Sequence, residues 1–377
     1  MQSWRQYLRK ERWMKKILIG SLLLCLFCTI IYAAPKPKPD SESFKLVNAD
    51  KMYLSRSDQE QILELVGKVN FFYGKTEFRG DRAIIFDKQK IVRMTGNVIV
   101  SNDTLSLRAD TLAYYRIPEL LNLGGNVSIT EKKPSGSLRT FSSEYGSYDR
   151  KEDKLSVWKN VRSYDKEENA YAQCGYGFWD RKAGYAYLIE EPQFWAGKED
   201  TLRVIAEKME FFDRERKLVA TFNVSTQSKD YQIDSDFLIY FLKEDKAVFT
   251  GKPIFKSGYA TARAQEFYLY QNDRKPVRAE LRDSCEVFFA EEEGLPKTNW
   301  VKANNVIIEF ADSKIRRFEA EDQVSYYFEQ EQKDKRDFVH NQAEGQYLEA
   351  NFNEDNKLQF MRMRKGIQGK YKFNNNS

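Results

Sequence analysis

The sequence predicts an all-β protein, an elongated stack of about ten bent hairpins preceded by one N-terminal hydrophobic helix. Three observations predict it. Aromatic side chains, 26 Phe and 22 Tyr among 377 residues, favour a half-buried pleated surface. No stretch of useful length shows the helical period. An eight-residue pattern of apolar, any, small, polar, any, apolar, any, apolar recurs at spacings of about 29–40 residues, the range of stacked repeats.

The first element is the helix. Residues 1–16 hold Arg5, Arg9, Lys10, Arg12, Lys15 and Lys16 against Glu11 alone. That accounts for the whole net charge of +5 and leaves the remainder neutral. Nucleic-acid binding needs an excess of Lys and Arg against phosphate, so a neutral body argues for no nucleic acid. Residues 17–34 read ILIGSLLLCLFCTIIYAA, without a charge. A basic start and an apolar run make an export signal. Two fates are open to 1–34. It is a cleaved signal peptide, with Ile31 and Ala33 at the −3 and −1 positions, or an anchor just long enough to span a bilayer. Either way the chain from Pro35 onward is outside the cytoplasm. Residues 35–45, with PKPKPD, read as a stiff linker, and 46–372 as the repeat domain. Cys25 and Cys28 read as small hydrophobes within the apolar run. Cys174 and Cys285 lie where disulfides persist, and are expected as two separate buried thiols.

The repeats follow in order: VNADKMYL around Asp50, FRGDRAII around Asp81, LRADTLAY around Asp110, FSSEYGSY around Glu144, VIAEKMEF around Glu207, IDSDFLIY around Asp236, ATARAQEFYL around Gln265 and VKANNVII around Asn304. Weaker copies surround Cys174 (YAQCGYGF) and Glu344 (NQAEGQYL). A second landmark, Gly96-Asn97-Val98, starts 15 residues after Asp81, and Gly125-Asn126-Val127 starts 15 after Asp110. Asn160-Val161, Asn223-Val224 and Gly251 keep the same register. Polar turns such as Asp87-Lys88-Gln89 lie between, so each unit is a hairpin.

The pattern implies a bend. Leu107 and Ala109 share a face, as do Leu112 and Tyr114, but Ala109 to Leu112 is a step of three. A period-2 strand keeps both pairs inside only with an irregularity at the polar residue. Asp110 is therefore expected as the additional residue, bonding local backbone groups, and Gly-Asn as the matching glycine bend. Bent hairpins on one axis give two facing sheets joined along a crease, a trough apolar inside and charged outside. Ten hairpins at roughly 4.8 Å per strand would span on the order of 95 Å.

These residues resemble a family. Ala109-Asp110-Thr111-Leu112-Ala113-Tyr114 with Gly125-Asn126-Val127, and residues 79–86 with Gly96-Asn97-Val98, are similar to the OstA-like/LptA family of lipopolysaccharide-transport proteins. The likeness is strongest over 46–130. It implies a periplasmic β-jellyroll, V-shaped or taco-like, that binds the acyl chains of lipid A in its trough. It also implies end-to-end strand docking with other Lpt-type jellyrolls, bridging inner and outer membranes. The chain has about twice the units of a short bridge protein and no room for an outer-membrane barrel. An uncleaved segment 17–34 would match the inner-membrane-anchored member.

Expected trough residues are those after the corner: Met52, Leu54, Ala83, Ile85, Leu112, Tyr114, Met209, Phe211, Leu238, Tyr240, Phe267, Leu269, Val306 and Ile308. The bland alternative is that they pack against each other across the sheets. A mixture is expected, with Tyr176, Phe178 and Phe211 closing the aromatic later units. The corner acids suit local geometry better than a carboxylate active site. The sole histidine, His340, expected at the surface, leaves no Ser-His-Asp or Cys-His pair. There is no metal spacing and no phosphate loop, so neither catalysis nor a cofactor is expected. Function narrows to lipopolysaccharide transport, with a structural or adhesive β-solenoid of packed interior as the alternative. A carbohydrate-active β-helix would need its acids on an outward groove, where the repeat does not place them.

Overall fold

The computed structural model describes residues 44–197, 202–272, 275–290, 294–311, 314–331, 338–354 and 358–373. The expected helix and cleavage site, Cys25, Cys28 and nearly all of the linker lie outside them. The first strand opens at Phe44, within the stretch expected as linker.

All regular elements among the described residues are strands. β1 (Phe44–Asn48) and β2 (Lys51–Arg56) lie end to end along β3 (Gln61–Tyr73). Then follow β4 (Thr76–Phe86), β5 (Ile91–Ser101), β6 (Leu105–Tyr115), β7 (Leu120–Lys132), β8 (Leu138–Asp149), β9 (Lys154–Asp165) and β10 (Ala170–Asp180). Each pairs antiparallel with the strand before it. β11 (Tyr185–Ile189) and β12 (Gln193–Ala196) share the next edge, and β13 (Leu202–Ile205) and β14 (Lys208–Phe212) the one after. β15 (Lys217–Gln227) and β16 (Tyr231–Phe241) are continuous. β17 (Lys246–Thr250) with β18 (Ile254–Ser257), and β19 (Ala260–Arg263) with β20 (Glu266–Asn272), are broken. β21 (Lys275–Phe289), β22 (Asn299–Ala311), β23 (Lys314–Glu331) and β24 (Phe338–Phe352) are long, and β25 (Leu358–Arg364) with β26 (Gln368–Phe373) closes the array. Joining the broken pairs leaves twenty bent strands, the ten hairpins expected.

Each strand crosses a crease at its middle. On the return strands the crease is a pair of consecutive left-handed residues. These are Gly67-Lys68, Gly96-Asn97, Gly125-Asn126, Lys159-Asn160, Glu190-Glu191, Phe222-Asn223, Gly251-Lys252, Asp283-Ser284, Asp322-Gln323 and Lys365-Gly366, with φ between 47° and 81°. The pairing also corrects where the additional residue sits. Thr95 faces Thr111 and Val98 faces Ala109, so Gly96 and Asn97 together stand opposite Asp110 alone. The bulge belongs to the return strand. A left-handed pair turns the chain without advancing it as far as extended residues do, so that strand needs one more residue to cross.

The corner acid fills the space that the glycine leaves. A Cβ on Gly96 would come within 2.3 Å of Asp81 Oδ2, and one on Gly125 within 2.4 Å of Asp110 Oδ2. Each carboxylate accepts a hydrogen bond from the neighbouring asparagine. Asn97 Nδ2 donates to Asp81 at 2.9 Å, Asn126 to Asp110 at 2.8 Å, Asn160 to Glu144 at 2.7 Å and Asn223 to Glu207 at 2.5 Å. The A-D and G-N-V signatures are thus two halves of one polar staple.

Two weak copies are shifted from their expected register. In the fifth unit Cys174 points inward and Gly175 occupies the corner. The acid has moved across the crease, because Glu190 Oε2 stands 2.2 Å from where a Gly175 Cβ would be. Tyr176 and Phe178 therefore face outward, where both stack on Tyr187 at 6.0 and 5.1 Å, while Gly177 and Trp179 face in. In the tenth unit the corner is Gln346, whose amide donates to Lys365 O, rather than Glu344.

The arms form two facing sheets. The first holds, for example, 105–109 and 127–132, and the second 111–115 and 120–124. Inward rings meet across the gap. Phe78 stacks on Tyr114 at 5.6 Å, Phe141 lies 5.4 Å from Trp179, and Phe194 lies 5.6 Å from Phe211. The interior condenses into two packed cores, one from Leu65 to Trp179 and one from Val204 to Ala350.

Candidate functional site

Between those cores the interior is open. A cavity of about 910 Å³ lies between the two sheets, lined on one side by Phe141, Val161, Ala170, Ala172, Phe194 and Val204. The opposite wall is Leu155, Val157, Trp179, Leu188, Phe211, Leu218, Leu238, Tyr240 and Leu269. Its origin is local. The inward positions of β9, β10 and their neighbours are small, with Ser163, Ala170, Ala172, Gly177, Ala186 and Ala196 all on the lining. Small side chains on facing arms cannot meet across a sheet-to-sheet gap of about 10 Å.

The expected trough residues fall into four groups. Phe211, Leu238, Tyr240 and Leu269 line the cavity. Ala83, Leu112, Met209, Phe267, Val306 and Ile308 are buried in the packed cores. Ile85 and Tyr114 border a small pocket of about 160 Å³ near β1, with Phe44, Leu63 and Tyr73. Met52 and Leu54 are 61% and 64% exposed on β2, because among the described residues the array ends there and no further strand covers them. Sequence reasoning missed the wall of the first sheet, such as Phe141 and Ala172 before their corners and Phe194 after the Glu190-Glu191 crease. The period-2 alternation of those arms marks them as clearly as that of the second sheet.

The mouth of the cavity is charged. Arg139 bonds Asp165 through Nε at 3.0 Å, and Lys133 reaches Asp165 at 3.1 Å and Glu167 at 2.7 Å. Burial works to raise the Asp165 carboxyl, but Arg139 and Lys133 overcome it and hold the group below the usual carboxylate range. Tyr148 OH donates to Asp153 at 2.8 Å, and burial with that carboxylate pushes its hydroxyl up to about 12. Tyr240 makes the same bond to Asp245. An apolar hollow under a polar rim suits an amphiphile, with tails inside and a head group at the lip.

Cys174 and Cys285 are separate, buried and unpaired with each other. Burial pushes each thiol up to about 12, so neither is a nucleophile at neutral pH. His340 is half-buried, edge-on to Tyr327 at 4.7 Å.

Residues 42–153 match the sequence model of the OstA-like protein family. No curated protein sequence matches the chain. Among solved structures, the crystal structure of LptH from Pseudomonas aeruginosa is similar at 10% identity, over 48% of this chain and 81% of that one. LptH is the LptA homologous periplasmic component of the conserved lipopolysaccharide transport device. The TM-score is 0.15, so the two do not superpose as whole chains.

Proposed function

We propose that this chain is a periplasmic lipopolysaccharide-transport protein that holds the acyl chains of lipid A in its central cavity. The observation that carries the reading is the apolar hollow of about 910 Å³ between facing sheets, open at a polar lip. Each buried methylene contributes about 0.8 kcal/mol, so even a partly enclosed chain is held firmly. The volume sits near the top of the range for small-molecule pockets, about 300–1,000 Å³. That is room for one amphiphile at a time. The OstA-like match at 42–153 supports the same assignment.

The reading has two further parts. The open edges at β1–β2 and β25–β26 dock other Lpt-type jellyrolls end to end, making a bridge toward the outer membrane. Residues 17–34 export the chain and, uncleaved, tie it to the inner membrane. The role is binding and conveyance, without catalysis, cofactor or nucleic acid.

Photo-crosslinking tests the cavity. A crosslinker at Leu238 should capture lipopolysaccharide in cells, whereas one at the packed Leu112 should not. No capture from Leu238, Phe211 or Leu269, in cells making normal lipopolysaccharide, would sink the reading. One observation favours the second reading, a structural β-solenoid without lipid: most of the interior is filled by its own side chains. The same experiment separates the two.

A further inference from the structure

The cavity lies between two packed cores, so among the described residues its ready way out is sideways, between the free lips of the two sheets. Three ion pairs cross that gap. Arg181 reaches Glu131 at 3.1 Å, Arg139 reaches Asp213 at 3.5 Å and Arg216 reaches Glu168 at 2.6 Å. In each, one partner belongs to the lip of the first sheet (Glu131, Arg139, Glu168) and the other to that of the second (Arg181, Asp213, Arg216). Arg139 and Arg181 also flank the Trp179 ring, at 5.1 and 5.5 Å, and that ring is part of the cavity wall.

We propose that these pairs are a latch across a lateral mouth. It opens so that an amphiphile comes in from the side, and Arg139 and Arg216 then take up the anionic head group, phosphate or carboxylate. The proposal rests on the lipid-binding reading above. It adds a route across the lips where a continuous trough would give one along its length.

The network is built to survive opening. Parting the lips costs Arg181 its bond to Glu131, but Asp153 still holds it at 2.8 Å from its own side. Arg139 keeps Asp165 at 3.0 Å. Arg216 and Asp213, whose side chains are 40% and 50% exposed, are released to water. Neither of the less exposed arginines, Arg139 and Arg181, is stranded without a counter-charge, which is what makes a buried pair expensive to break. The latch is not saturated either. Glu131 Oε2 makes no direct hydrogen bond and faces Arg139 Nη1 on its own lip at 4.0 Å. The ladders run along each sheet, so parting the lips breaks no strand pairing. The creases, each with its left-handed pair, are the natural hinge.

The test locks the lips in the full-length chain, with Cys25 and Cys28 replaced by serine and Glu168→Cys and Arg216→Cys joined by a disulfide-containing bismaleimide. Cys174, which lines the cavity, is replaced by alanine as well, and Cys285 lies buried in the packed core. The probes are cis-parinaric acid and its uncharged methyl ester, followed by fluorescence. The locked protein should take up the acid at least about tenfold more slowly, with the rate restored when the linker is reduced. Asp213→Asn with Glu168→Gln should load about two- to fivefold faster than the native chain, the scale of a modest ion pair. Equal rates for locked and reduced protein overturn the latch while leaving lipid binding intact. An ester held as tightly as the acid overturns the head-group role of Arg139 and Arg216. Probe bound by no form at all overturns the lipid-binding reading and the latch with it.

Discussion

Asp81, Gly96 and Asn97 show why the short motifs are what they are. The carboxylate lies where a β-carbon would be, and the amide beside it ties the two strands together. Replacing Gly96 by alanine asks for a left-handed φ of 75° and for a side chain within 2.3 Å of Asp81 Oδ2. The expected loss is about 2 kcal/mol, read as a lower denaturant midpoint. Adding Asp81→Ala to Gly96→Ala should return part of it, since the clash goes and only the strained dihedral remains. A Gly96→Ala chain as stable as the native one would show that the staple is ornamental. The staple was legible in sequence because acid and glycine stand 15 residues apart in three units, Asp81 and Gly96, Asp110 and Gly125, and Asp236 and Gly251. Its bulge was not. Apolar spacing on one strand cannot say which neighbour carries the additional residue, and only the register of Gly96 and Asn97 against Asp110 does.

Among elements, the fifth hairpin shows where pattern reading fails. Its corner glycine and acid have exchanged strands, so a search for a polar residue on the forward strand settles on Cys174, one position early. The separation from Gly175 to Glu190 is nevertheless 15, as in the neighbouring units. Spacing outlasts residue type because it is set by strand length, and strand length by the width of the trough. The end strands raise a different matter. β1 and β2 leave Val47, Met52, Tyr53 and Leu54 more than half exposed on an unpaired edge, and Ile367 at the other end is 56% exposed. Apolar side chains beside free backbone donors and acceptors invite another strand. The purified chain should associate through these edges with itself or with another jellyroll, and Leu54→Lys should abolish it at the N-terminal end. Strictly monomeric behaviour with every such partner, unchanged by Leu54→Lys, would remove the docking part of the reading.

For the molecule as a whole, one binary pattern produces both closed and open interior. Ala83 and Ala172 hold the same kind of inward position, yet Ala83 is fully buried in a packed core and Ala172 faces the cavity. The difference lies in what stands opposite. Ala83 sits between Leu65 and Met94 on the adjoining strands, in a core that the rings of Phe71, Phe78 and Tyr114 help to fill, while Ala172 sits between Ser163 and Phe194 on a lining that also holds the small Ala170, Gly177 and Ala196. The sequence contains that information as residue volume, which an apolar-polar reading discards. Substituting phenylalanine at the two alanines turns the contrast into a measurement. Ala83→Phe has no room and should cost about 1–3 kcal/mol or more through overpacking. Ala172→Phe enters empty space, so its unfolding midpoint should hold or rise while lipid capture at Leu238 falls. If Ala172→Phe destabilises the chain as much as Ala83→Phe, the centre is as tightly packed as the ends. The molecule would then be a solid rod with no place for a lipid.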